Sequence, residues 1–128
     1  MEPRFLTLGQ VLDFHQQQID LFGGDPGERD QGLLESALTQ PPTAWIYDSE
    51  TDVFDLAAGY AFHLTKNHPF IDGNKRVALH ASLAFLQINE IEVIASEEAM
   101  YDATIALTTS AWTKNQFAAF LRANTLAT

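Results

Sequence analysis

His68-Pro69-Phe70-Ile71-Asp72-Gly73-Asn74-Lys75-Arg76 gathers a titratable ring, a carboxylate, a glycine, an amide and two cations into nine residues, directly before an apolar run from Val77. A buried core has no use for that mixture, so the stretch is a candidate reaction site set between two helices. His68 can accept a proton near neutral pH. Asp72 offers Mg²⁺ a hard oxygen, and Gly73 lets backbone N–H groups approach an anion. Asn74, Lys75 and Arg76 supply donors for phosphate. With Val77 onward helical, the loop aims a helix N-terminus, with its unpaired amides and positive dipole end, at the same ligand.

Working outward, apolar residues recur at helical spacing on both sides of this stretch. Val53, Phe54, Leu56, Ala57, Tyr60, Ala61 and Leu64 predict a buried helix that delivers the chain to His68. Val77, Ala78, Ala81, Leu83, Ala84, Phe85, Leu86 and Ile88 are apolar nearly all round and predict the central helix of a bundle, ending near Asn89. Farther upstream, Thr7 to Phe22 forms a helix with Thr7 as N-cap and Gly23-Gly24 as its stop. Gly23 to Gly27 is a loop. Asp30 caps a second helix through Leu33, Leu34, Ala37 and Leu38, which Pro41-Pro42 breaks. Downstream, Ile91 to Ile94 is either a strand or an extended link. Ser96 caps a helix with Tyr101, Ile105 and Leu107 inward, and Thr113 caps a last one carrying Phe117, Phe120 and Leu121. The chain contains no internal repeat, linker or low-complexity segment.

Composition agrees with one domain over 1–128: 46% hydrophobic and 19% charged residues make a globular chain with a real core. There is no cysteine and hence no disulfide. No signal-peptide pattern opens the chain, and no apolar run approaches the ~20 residues of a membrane span, so a cytoplasmic protein is expected. The net charge of −10, from 17 acids against 7 cations, argues against direct binding to nucleic acid or to anionic membranes. Lys66, Lys75 and Arg76 nevertheless fall in an eleven-residue window whose one acid is Asp72, a local positive patch suited to a small anion. Lys66 taken alone is an ordinary surface cation. His63 and His68 are five apart and miss the spacing of about four that a zinc pair on one helical face needs. His15, His63 and His80 are packed or surface histidines.

The nine residues resemble the His-x-Phe-x-(Asp/Glu)-Gly-Asn signature of Fic/Doc proteins, and more closely that of the Doc, or death-on-curing, branch. Lys75 follows the Asn as in that branch. Leu79 stands three residues after Arg76, where Fic adenylyltransferases have a second Arg. The likeness extends to the opening helix, to Gly23-Gly24, to Arg29-Asp30 before Leu33-Leu34-Glu35-Ser36-Ala37-Leu38, and to the C-terminal helical pair.

The resemblance implies an all-α, Fic-like helical bundle with a short flap hairpin near the active-site loop. It makes His68 the base that takes a proton from an attacking hydroxyl. Asp72 would be the Mg²⁺ ligand, and could cap the next helix as well. Gly73, Asn74, Lys75 and Arg76 would hold the phosphates of ATP, with His68, Lys75 and Arg76 catalytic, and Phe70 would anchor the loop to the core. Trp45, Ile46 and Tyr47, lying within Pro41 to Glu50, would form the flap and dock the target by strand addition. From composition alone the same aromatics fit a satellite core equally well.

Doc-like proteins are similar toxins that phosphorylate a threonine of elongation factor Tu, halt translation and are restrained by a Phd-like antitoxin. Fic-like transfer of AMP is the alternative reaction, and Gly73, typical of the wider Fic pattern, points that way. A catalytically inert binding module is the third reading. Self-restrained Fic proteins carry a (Ser/Thr)-x-x-x-Glu helix, and no Glu here has Ser or Thr four residues before it. Restraint is therefore expected from a partner segment that folds as an amphipathic helix into an apolar groove.

Overall fold

The computed structural model describes residues 2–126. Met1, Ala127 and Thr128, at the ends of the expected 1–128 domain, lie outside the described residues. Six helices are present: α1 (Leu8–Phe22), α2 (Gln31–Tyr47), α3 (Val53–Asn67), α4 (Asn74–Ile88), α5 (Glu97–Thr108) and α6 (Lys114–Ala123). The fold is all-α, and the β pairing among the described residues amounts to two isolated bridges, Glu28 with Phe70 and Val93 with Thr125.

Local chemistry fixes most helix starts. The side chains of Thr7, Asp30, Asp52, Ser96 and Thr113 each accept the N–H three residues on, satisfying an amide that the helix cannot. α1 stops at Gly23, whose φ of 78° is open to glycine at no cost. α3 and α4 share the centre. Ala57, Ala58, Tyr60, Ala61 and Leu64 of α3, with Val77, Ala78, Ala81, Phe85 and Leu86 of α4, are closed to solvent. α3 packs on α2, α4, α5 and α6, while α1 lies on α4, so the expectation of one central helix becomes a central pair. Among the described residues, no helix is long and apolar enough to cross a membrane.

Two expectations are corrected. Pro41-Pro42 does not break α2: the helix runs through both prolines to Tyr47 and closes with the Asp48 N–H on the Ala44 carbonyl at 2.9 Å. The prolines deprive the carbonyls of Ala37 and Leu38 of their helical donors. Pro41 is nonetheless buried, with its ring beside Gly59 of α3, and Ala44 and Trp45 pack on the core. That packing carries the helix past its own breakers. Trp45, Ile46 and Tyr47 are consequently the last turn of α2, not a hairpin flap; Ile46 and Tyr47 are exposed. Second, on α5 the buried face is Met100, Ala103, Thr104 and Leu107, while Tyr101 and Ile105 are half-buried at its margin. Ile91 to Ile94 is an extended link, tied to the chain end by Ile94 N–H on the Asn124 carbonyl and Leu126 N–H on that of Glu92.

Candidate active site

The loop between α3 and α4 is held from three directions. α3 ends at His68, whose N–H reaches the Leu64 carbonyl and whose backbone turns left-handed at φ 48°, ψ 57°. That conformation costs a non-glycine residue energy and needs outside support. Arg29 supplies it. Its Nε donates to the His68 carbonyl at 2.6 Å and its Nη2 to that of Asn67 at 2.7 Å, setting a cation on the negative end of α3. The N–H groups of Arg29 and Asp30 both donate to the Pro69 carbonyl, and Ile71 N–H donates to Gly27.

Phe70, the expected anchor of the loop, is closed to solvent. His15 of α1 stacks on it at 3.8 Å between centroids with a 10° interplanar angle. The same ring meets the Asp72 carbonyl through Nε2 at 2.8 Å. A carbonyl only accepts, so His15 carries its proton on Nε2. On the other side, the Asn74 side chain clasps the Phe70 backbone, Oδ1 accepting its N–H at 3.0 Å and Nδ2 donating to its carbonyl at 2.8 Å. The amide expected to hold phosphate is thus engaged in closing the loop; what Asn74 can offer a ligand is its backbone N–H.

Asp72 is exposed, and its Oδ2 accepts the Asp25 N–H at 2.8 Å, joining the site to the Gly-rich turn. Gly24 makes this approach possible: it has φ 113°, and a Cβ there would stand 3.1 Å from that of Asp72. Asp72 does not cap α4. Gly73 occupies the N-cap position with φ 88°, and no side chain caps the helix. The amides of Asn74, Lys75 and Arg76 therefore have no partner within α4, whose first tie is Val77 N–H to the Gly73 carbonyl.

These amides open into a cleft of about 460 Å³ lined by His68, Asp72, Gly73, Asn74, Lys75 and Arg76, with Phe22, Gly23, Gly24, Thr65, Ile71, Tyr101 and Thr108. Arg76 lies with Cζ 3.8 Å from the Phe22 ring centroid and 5.0 Å from that of Tyr101. Leu79, one turn on, is buried. The structure thus brings the polar residues singled out from sequence around one cavity. It leaves Trp45, Ile46 and Tyr47 outside the cleft's lining, and Lys66 bound to the Thr108 carbonyl and the Ser110 hydroxyl.

His63 and His80 also lie away from the cleft. Burial and then the nearby Lys114 hold His63 down at about 4, and burial lowers His80. Among the described residues, no group of three or more His, Cys, Asp or Glu could hold a metal. A lone carboxylate with its second oxygen free of hydrogen bonds suits Mg²⁺ that brings most of its shell as phosphate oxygens and waters.

Four contributors were not recognised from sequence: His15, Arg29, Phe22 and Tyr101. The first two act through backbone carbonyls, which no residue pattern displays. Phe22 left one signal, a large apolar side chain at the solvent end of α1 beside two glycines.

Comparison with known proteins agrees with this architecture. The sequence model described as Fic/DOC family matches residues 5–86, from just before α1 to near the end of α4. The chain is similar to "Protein kinase doc" of Escherichia phage P1, 32% identical over 106 residues and 83% of each chain. It is also similar to "Toxin Doc" of Mycolicibacterium smegmatis, 40% identical over 75 residues and 58% of each chain. With the loop and the helices on either side of it inside the matched span, this chain belongs to the Fic/DOC family.

Proposed function

We propose that this chain is a Doc-like toxin that transfers the γ-phosphoryl group of ATP to a protein hydroxyl, a threonine of elongation factor Tu, and so inhibits translation. The observation that carries the choice of reaction is Leu79. Where the adenylyltransferase pattern has a second Arg to fix the β- and γ-phosphates, this chain has Leu79, buried and outside the cleft's lining, which leaves Lys75 and Arg76 as the cations that line the cleft. The names of the two relatives, a kinase and a toxin, support the same reading.

In this reading the free amides of α4, Lys75 and the edge of Arg76 bind the phosphates, and Asp72 would hold Mg²⁺, which when bound neutralises phosphate charge. His68 takes the proton as the target oxygen bonds to the γ-phosphorus, and the bond from that phosphorus to ADP breaks. ADP leaves with the electron pair. The protein's contribution is positioning and electrostatics. The proposed partner is a Phd-like antitoxin.

The test is the mass of elongation factor Tu after incubation with the protein, ATP and Mg²⁺, beside a His68→Ala control. A phosphoryl gain that depends on His68 is expected. An adenylyl gain would make Gly73 the better guide to the reaction, and no gain with this target would remove it from the proposal.

A further inference from the structure

Of the cations that meet an aromatic ring among the described residues, Arg76 is the one that meets two. There are 17 acids, yet no carboxylate pairs with Arg76 among the described residues; the ion pairs there are those of Arg122 with Asp52 and Asp55. Aromatic rings hold it instead. Phe22, the last residue of α1, lies 3.8 Å from Cζ, and Tyr101 of α5 lies 5.0 Å away, so two elements distant in sequence converge on one guanidinium of α4. Phe22 is 56% exposed, which makes it a poor core residue.

The chemistry of the two kinds of partner differs. A carboxylate would occupy the guanidinium N–H groups and cancel the charge. A ring takes the face, by cation–π attraction, and leaves the edge donors and the charge available. Arg76 also lines the cleft into which the unpaired α4 amides open.

We propose that Phe22 and Tyr101 are positioning residues for Arg76, ring faces that hold the guanidinium flat and unneutralised so that its edge receives a phosphate of the nucleotide. This rests on the nucleotide reading given above. Because the side chain is ordered before the ligand arrives, less rotamer freedom is lost on binding. The benefit goes to phosphate, not to the base, and Phe22, the nearer ring, contributes more than Tyr101.

Direct titration calorimetry tests this with two probes, ATP·Mg²⁺ and inorganic tripolyphosphate. Phe22→Leu should bind both about fivefold more weakly than the parent chain, and Phe22→Tyr should restore both. In an Arg76→Ala background, Phe22→Leu should have no further effect. An unchanged affinity in Phe22→Leu, a loss confined to ATP, or a loss that persists without Arg76 would each overturn the proposal. Since Phe22 is a surface residue, melting curves should confirm that each variant is folded. A parent chain that binds neither probe removes the nucleotide reading and this inference together; one that binds both, with Phe22→Leu unchanged, removes the inference alone.

Discussion

Asn74 and His68 stand six residues apart in one loop, and truncating each has a different consequence. His68 is exposed and its ring supports nothing else among the described residues. His68→Ala should leave the unfolding free energy within about 0.5 kcal/mol of the parent and lower the proposed phosphoryl transfer roughly 10²-fold or more. Asn74→Ala strands the buried N–H and carbonyl of Phe70. It should cost about 2 kcal/mol in urea unfolding as well as activity, and a variant of parental stability would mean that the clasp is dispensable. His68, Asp72, Gly73, Lys75 and Arg76 could be singled out in sequence because they fall within one nine-residue motif, and the structure gathers them around one cleft. Asn74 was legible as a member of the site but not in its task. His15 reaches Asp72 across 57 positions, and Arg29 reaches Asn67 across 38, each through a backbone atom that has no identity in a sequence.

Helix starts were legible for the same local reason: Thr7, Asp30, Ser96 and Thr113 cap where their side chains imply. The far end of α2 was not. A proline's missing donor is a local fact, but whether it ends a helix depends on what the ring packs against. Here Pro41 meets α3 at Gly59. A Cβ at Gly59 would stand 3.6 Å from the Pro41 ring, an ordinary contact, and the residue lies in mid-helix. Gly59→Ala should therefore gain helix propensity without a clash and raise stability by about 1 kcal/mol in chemical denaturation. A loss instead would show that α2 and α3 are pressed closer than this geometry allows.

For the molecule as a whole, pH sets stability through histidines outside the cleft. Burial and Lys114 depress His63 to about 4, and burial depresses His80, against about 6.5 for an unfolded chain. Below about pH 6.5 the unfolded state therefore binds more protons, and stability falls as pH drops toward the folded value. Urea midpoints measured down this range should decline, and His63→Gln with His80→Gln should flatten the decline. Asp52 acts lower. Burial works against its ionisation, but the Asp55 N–H and Arg122 outweigh it and lower its pKa, so its contribution is lost only through the carboxylate range. Neither histidine's environment was visible in sequence, since burial belongs to the assembled bundle. The bare N-terminus of α4 has a consequence at this same scale. Five helices are completed by the side chain of their N-cap residue; among the described residues α4 is not, and the proposed nucleotide would complete it at Asn74, Lys75 and Arg76. Binding there would be linked to folding, and a rise in melting temperature with added ligand would report it.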